Sequence, residues 1–351
     1  MSKESLEWLN KNTLIGYTEK RGSAWHYRAE LQGAEPNHYP GAIPIDDVLR
    51  RLFNWEATAV RLYRQVPCDP AEAISVDELG RPSKFVVDRG VKGIERLDTN
   101  KTFRYAGGGY EIHQYREWLI DALKDIIDDD INIGSAGLLR EGGVAFVTIE
   151  IPDTIEILEG FGVRPHLLAS TSHNGRFATA YKTVATFVVC DNTHEIALRE
   201  KTPEYRVRHS KHSKRRLQSA REALQIVHRM TDDIRALVNE LSELKVSNGE
   251  WNRLLAELSP IPELTKEPDN RAVVEKAKTK QAELRDLYDS DDRVAPWKGS
   301  GLGVLQAFNT HRQHVAGKDG GRYERNMLHT LGRVTRREDA KVLAALGIRG
   351  R

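Results

Sequence analysis

The fold is decided by one stretch in the middle of the chain, which begins Val144-Ala145-Phe146-Val147-Thr148-Ile149-Glu150-Ile151. Its β-branched and aromatic residues predict a strand. A second strand is predicted over 165–172 and a third over 177–190, and the Asn174-Gly175 pair between them is typical of a hairpin turn. The three strands are therefore expected to form an antiparallel meander.

A long helix is predicted after the meander. Ser210 or Ser213 can cap its start, and Gly249 follows its expected end near Val246. Apolar residues recur between those ends at helical spacing, namely Leu217, Ala220, Leu224, Val227, Ile234, Val238 and Leu241. A short helix over 192–199 is expected between the meander and the long helix. The predicted fold class is thus α+β, with a β-β-β-α core.

Further elements are predicted on both sides of this core. Those upstream are strands over 57–66 and 83–88 and helices over 44–53 and 111–127. Those downstream are helices over 270–287, 304–315, 324–331 and 338–346. The proline break Ser259-Pro260-Ile261-Pro262 predicts a boundary between an α+β core domain, 1–258, and a mostly helical, charged C-terminal region, 259–351.

Composition limits the class of protein. Of the 351 residues, 39% are hydrophobic and 30% charged, and no stretch approaches the roughly 18 apolar residues of a membrane span. The segment Met1–Trp8 carries acidic residues and lacks an apolar core, so a secretory signal is not predicted. We therefore expect a soluble protein in the cytoplasm. Two cysteines, Cys68 and Cys190, exclude a disulfide scaffold and a four-cysteine zinc site.

Positive charge is concentrated at the start of the long helix, although the net charge is only +2. Self-repulsion disfavours such a cluster unless an anion compensates it, and a nucleic-acid backbone would do so. The predicted phosphate-contacting residues are Arg206, Arg208, Lys211, Lys214, Arg215 and Arg216. Tyr181 and Phe177 are weaker candidates for stacking on single-stranded bases. The alternative is a basic face that is merely solvated.

Catalytic and metal sites find little support in the sequence. It contains no Walker A motif and no G-x-S-x-G elbow. His209 and His212 have a metal-ligand spacing, but their basic neighbours would repel a cation. The aspartates at 128–130 and 289–292 are more typical of helix ends and turns than of a magnesium site. No enzymatic activity, cofactor or metal is predicted, and a metal-dependent nucleic-acid enzyme stays open as an alternative.

Several motifs resemble one family, the phage/plasmid-like proteins, which form the domain-of-unknown-function family numbered nine-three-two. The motifs lie at Leu14–Tyr17 with Gly22–His26, at His166–Gly175, at Val188–Thr193, at Arg206–Ser210 and at Gly303–Thr310. The family usually has threonine before Trp-Gly-Leu-Leu-Asn, whereas this chain has Gly301–Gln306 and its tryptophan earlier, at Trp297. The resemblance covers about residues 14 to 316 and implies a bacteriophage or mobile-element origin, but no known activity.

The predicted β-β-β-α order is also similar to the core of the ring-forming single-strand annealing proteins. That similarity implies single-stranded DNA binding, and annealing, in phage recombination or replication. It further implies a homo-oligomer, with a phage exonuclease or a host recombination factor as partner and no membrane. A phage protein that binds a host factor rather than DNA is the other alternative, which an exposed apolar patch without anion affinity would favour.

Overall fold

Two antiparallel sheets organise the computed structural model, which describes residues 3–22, 27–32, 34–124, 132–150, 155–158, 161–187, 192–194, 204–213, 236–264, 270–317, 322–331 and 334–348. The strands are β1 (Thr13–Ile15), β2 (Ala57–Pro67), β3 (Ser75–Val76), β4 (Pro82–Arg96), β5 (Lys101–Gly107), β6 (Ile133–Leu139), β7 (Val144–Glu150), β8 (Ile155–Leu158), β9 (Phe161–Ser172), β10 (Thr179–Phe187), β11 (Asn192–His194) and β12 (Glu204–Val207). The larger sheet has the order β1-β6-β7-β9-β10-β11, with β8 also on β9 and β12 also on β10. In the smaller sheet, β4 pairs with β2, β3 and β5.

Helices dominate the C-terminal part of the described chain. The α-helices are α1 (Lys3–Asn12), α2 (Thr18–Arg21), α3 (Ile45–Arg51), α4 (Ala122–Lys124), α5 (Asn248–Leu258), α6 (Asn270–Ser290), α7 (Gly301–Thr310), α8 (Arg322–Leu331) and α9 (Val334–Ala345). Residues 236–243 are also helical. A π-helical turn, Glu117–Asp121, precedes α4, and another, His311–Val315, follows α7.

The α+β class and the antiparallel meander are confirmed. Strands β7, β9 and β10 lie side by side, with Val147 opposite Ala169 and Ala169 opposite Tyr181. That row packs into one core, while Val144 and Phe146 on the other face pack against Met327 and its neighbours on α8. Because other parts of the protein cover both faces of β7, its sequence is a continuous apolar run rather than an alternation of apolar and polar residues.

The predicted helix over 192–199 is wrong where the structure describes it. Residues Asn192–His194 form β11, which extends the sheet by pairing with β10 at Thr186↔Thr193. Ladder hydrogen bonds to an existing strand edge outweigh the weak helix propensity of asparagine and threonine. The remainder of that prediction, and residues 214–235 of the predicted long helix, lie outside the described residues. Val238 and Leu241 are in the helical stretch 236–243, as predicted.

One hydrophobic core crosses the predicted domain boundary. Val238, Leu241 and Trp251 pack with Leu284 and Leu302 from beyond the proline break. The capping box of Ser247 and Glu250 starts α5 within this core, because the Ser247 side chain accepts from the Glu250 amide and the Glu250 carboxylate accepts from the Ser247 amide. Residues 238–258 therefore pack with the C-terminal helices.

Across the described ranges, none of the helices combines the length and the apolar character that crossing a bilayer demands.

Candidate nucleic-acid interface

Four chain segments converge at the turn between β9 and β10. Tyr110, just after β5, donates its hydroxyl hydrogen to the Ser172 carbonyl at the end of β9, at 3.3 Å. His209, just after β12, is joined to Glu111 twice: the Glu111 amide donates to the His209 carbonyl at 3.4 Å, and His209 Nδ1 lies 3.0 Å from the Glu111 carbonyl oxygen. The sequence motif around Arg206–Ser210 is thereby fixed against the turn that contains Asn174 and Gly175.

Planar side chains form a continuous stack at this place, which we call the histidine stack. Its members in order are Arg104, Tyr110, His209, His113 and Trp118. The Arg104 guanidinium carbon lies 5.2 Å from the Tyr110 ring centroid, and the Tyr110 and His209 centroids are 4.9 Å apart at 8°. The His209–His113 and His113–Trp118 centroid distances are 3.9 Å and 3.7 Å. The stack runs from a half-exposed guanidinium to a buried indole.

Threonine hydroxyls orient the two histidines of the stack. His113 Nδ1 lies 2.6 Å from Thr179 Oγ1, which is 2.7 Å from Thr171 Oγ1. Thr171 Oγ1 in turn lies 3.3 Å from His209 Nε2. Burial lowers the pKa of His113 to about 2 and that of His209 to about 4. Both imidazoles are therefore neutral near pH 7, which allows them to stack on each other.

A second aromatic group surrounds His173. Its ring stacks on Tyr115 with centroids 4.1 Å apart, and Phe103 and Trp55 flank it at 5.7 Å and 5.9 Å. Burial lowers the pKa of His173 to about 3. Within the described part of the chain, neither ring nitrogen of His173 has a hydrogen-bond partner. This histidine is thus held by ring packing rather than by polar contacts.

Four cationic side chains lie in the histidine stack or in the segments that carry it. Arg208 and Lys211 are exposed, and no described carboxylate pairs with either. The Arg104 guanidinium lies directly over Gly175, and the Arg176 guanidinium carbon lies 5.9 Å from the Phe177 ring centroid. We call these four side chains, Arg104, Arg176, Arg208 and Lys211, the basic rim. Its charge is not balanced by acidic side chains in the described residues.

The predicted DNA-binding residues fall into three groups. Arg206, Arg208 and Lys211 are exposed at the end of β12 and just beyond it. Phe177 is half-buried and packs toward α8. Lys214, Arg215 and Arg216 lie outside the described residues.

Tyr181 is a correction to the predicted stacking set. Its side chain is 0% exposed, and its hydroxyl donates to the Trp118 carbonyl at 2.7 Å. Because strand alternation turns Tyr181 toward the core, its ring has no face open to a base. It supports the buried end of the histidine stack instead.

The two histidines with metal-ligand spacing, His209 and His212, differ in their surroundings. The His209 ring lies within the histidine stack, while His212 is exposed. Across the described residues, no group of three or more histidine, cysteine, aspartate or glutamate side chains is arranged to hold a metal ion.

The aspartates of the later acidic run have local partners. Asp291 accepts two hydrogen bonds from the Arg293 guanidinium, at 2.8 Å and 2.6 Å, and Asp289 pairs with Lys298 at 2.7 Å. These contacts fix the turn that follows α6, as the sequence indicated for such residues. The aspartates at 128–130 lie outside the described residues.

Comparison with known proteins identifies one family. The model of the family described as Domain of unknown function (DUF932) matches residues 103–345. That region includes all five members of the histidine stack and all four of the basic rim. Searches of curated proteins and of solved structures found no match.

Proposed function

Because the chain belongs to the DUF932 family, whose function is unknown, we propose its function from the site itself: the protein binds single-stranded DNA at the basic rim. The observation that supports this proposal most is the position of the unbalanced cations. Arg208 directly precedes His209 in the sequence and Lys211 follows it two residues later, and His209 belongs to a stack of planar groups whose outermost member is the Arg104 guanidinium. Backbone phosphates and bases would thus meet their complementary groups at one place.

The cations supply the electrostatic part of the binding. Each arginine or lysine that contacts a phosphate releases a condensed counterion, so four rim cations favour a nucleic acid over a neutral partner. The predicted phosphate contacts also include Lys214, Arg215 and Arg216, which follow Lys211 in the sequence. Arg206 is a further predicted phosphate contact; it lies opposite Ala180 on β10, on the other side of the sheet from Thr179.

The stack supplies the preference for single strands. An unpaired base stacked on the outer face of the Arg104 guanidinium would continue the series of parallel planes, as arginine and aromatic platforms do in single-strand binding proteins. A duplex keeps its bases paired and cannot offer such a face. The buried neutral histidines hold Tyr110 and Arg104 in place without adding charge of their own.

Strand annealing, homo-oligomerisation and a role in phage recombination or replication are further parts of this proposal. They rest on the order of the three meander strands, which is similar in outline to annealing proteins. A phage exonuclease or a host recombination factor would be the partner in that setting.

Direct titration tests the proposal. A fluorescein-labelled oligothymidylate is titrated with the parent protein and with the Arg208→Ala/Lys211→Ala variant at low salt. The matched control, Arg253→Ala/Lys341→Ala, also removes two exposed cations but from helices α5 and α9. We expect the rim variant to bind at least tenfold more weakly and the control to bind like the parent. Equal affinity of parent and rim variant would contradict the proposal.

A further inference from the structure

The outer half of the ribbon formed by β2 and β4 has one exposed face with an unusual composition. Tyr63 lies opposite Val87 and Gln65 lies opposite Phe85 in the pairing register. Tyr63, Phe85 and Val87 are 57%, 51% and 39% exposed. Partners in an antiparallel pair share a face, so these side chains form one patch, which we call the arm face.

The arm face continues a face that is buried closer to the body of the protein. Ala57 and Ile94 lie on this face of β2 and β4, and both pack into the core beneath the larger sheet. Side chains at alternate positions share a face, so the same side of β2 changes from buried Ala57 to exposed Tyr63 along a single strand. An apolar face that leaves the core in this way is typical of a binding surface.

Two cations stand at the inner border of the arm face. Arg61 lies directly opposite Lys92, where strand β4 bulges before it pairs again at Asp88. Like charges at opposite positions destabilise a strand pair. Neither Arg61 nor Lys92 forms an ion pair with any of the residues that the structure describes. A bound anion would relieve their repulsion.

We infer that the arm face is a second contact site for single-stranded nucleic acid, with bases stacked on Tyr63 and Phe85 and phosphates held by Arg61 and Lys92. Aromatic rings beside cations on an extended strand are the combination that sequence-tolerant single-strand binding uses. An acidic protein partner would neutralise the cations but would supply no bases to stack on the exposed rings. The inference rests on the proposed function, since it assigns a further site for the same ligand.

The sheet connects the arm face to the basic rim. Arg104 of the rim lies on β5 opposite Ile94 of β4, two positions along β4 from Lys92. Tyr105, next to Arg104, lies opposite Gly93, so its exposed side chain is on the other face of these strands. A single strand that leaves the rim can therefore follow β4 outward to Lys92 and Phe85.

Titration of three variants with short and long fluorescein-labelled oligothymidylates tests the inference. Tyr63→Ala/Phe85→Ala should weaken binding of the long oligothymidylate about tenfold or more through lost stacking. Arg61→Ala/Lys92→Ala should also weaken it, and more so at low salt. The matched control is Arg64→Ala, an exposed cation of the same strand on the opposite face. It should bind like the parent, and the melting temperatures should stay close to the parent value because the residues are on the surface.

The outcomes separate the two proposals. If the rim variant binds weakly while both arm variants bind like the parent, the arm inference is wrong and the proposed function stands. If the parent fails to bind oligothymidylate at low salt, both are wrong. If Tyr63→Ala/Phe85→Ala leaves affinity unchanged but dissociates an oligomer in sedimentation, the arm face joins copies of the chain, which also overturns the inference.

Discussion

The imidazole rings of His113 and His209 lie face to face, with 3.9 Å between their centroids and 18° between their planes. Two protonated histidines could not occupy this geometry, because like charges at that distance repel strongly in a buried site. Burial and their mutual repulsion hold the pKa of His113 at about 2, and burial holds that of His209 at about 4. The outer part of the candidate interface thus depends on a pair of neutral histidines.

This pair predicts acid sensitivity. An unfolded histidine titrates near pH 6.5, whereas both folded pKa values lie below that, so the unfolded chain binds more protons as the pH falls. The stabilisation is complete above about pH 6.5 and declines below it, by roughly 1.4 kcal/mol per pH unit for each histidine. Urea unfolding of the parent at about pH 7, 6 and 5 should show this slope.

The variant His113→Phe separates this pair from other acid-sensitive groups. A phenyl ring can stack on Trp118 but cannot be protonated, so the stability of the variant should depend less steeply on pH. Its overall stability should be lower at neutral pH, because Thr179 loses one of its two side-chain hydrogen-bond partners. An equal pH slope for variant and parent would show that His113 does not couple folding to protons.

The buried Tyr181 hydroxyl predicts a change in stability without a change in binding. Tyr181→Phe removes the donor to the Trp118 carbonyl, and losing a buried hydrogen bond costs about 0.5–1.5 kcal/mol. The affinity for oligothymidylate should equal that of the parent. The control Tyr63→Phe removes an exposed hydroxyl and should change the free energy of unfolding by less than about 0.5 kcal/mol. Weaker binding at unchanged stability would show that Tyr181 contributes to the DNA-binding interface.

Gly175 predicts a loss of binding through the position of Arg104. At Gly175, φ is +73°, and a Cβ atom would overlap the Arg104 guanidinium. Gly175→Ala should therefore displace the guanidinium from Tyr110 and weaken oligothymidylate binding as much as Arg104→Ala does. The backbone strain should cost about 1–2 kcal/mol.

The matched control for Gly175 is Gly80→Ala. Gly80 also has φ +73°, but nothing lies within 4 Å of its added Cβ. This variant should lose the same amount of unfolding free energy in urea and should bind oligothymidylate like the parent. If both alanine variants bind equally well, Arg104 does not contribute to the interface.

Strong local patterns explain which parts of the fold could be predicted. β7 and β10 are rich in β-branched and aromatic residues, and an Asn-Gly turn joins β9 to β10, so the sequence predicted the meander. The sequence did not predict β6, because Ile133–Leu139 contains two glycines and only one β-branched residue. Gly137 is required there by packing, since a Cβ atom would lie 2.8 Å from the Phe146 ring. Such a requirement depends on the neighbouring strand and leaves no periodic signal.

The candidate site was predicted only in part for a similar reason. The exposed cations Arg206, Arg208 and Lys211 form a cluster in the sequence, so the charge pattern predicted them. His113, His173 and His209 are far apart in the sequence and meet only because β5, β9 and β12 end at one place. The short run from Tyr105 to Trp118, rich in aromatic residues, was the available signal for the stack. The burial of Tyr181 followed from strand alternation and could have been anticipated.

The salt dependence of DNA affinity tests the central claim most directly. The affinity of the parent and of Arg208→Ala/Lys211→Ala for an oligothymidylate is measured across a series of salt concentrations. The account predicts that log affinity falls linearly with log salt, by about 0.7 for each phosphate neutralised, and that the variant has a slope smaller by roughly 1.4. A flat salt response in the parent, or identical slopes for parent and variant, would contradict the assignment of the basic rim as a DNA-binding surface.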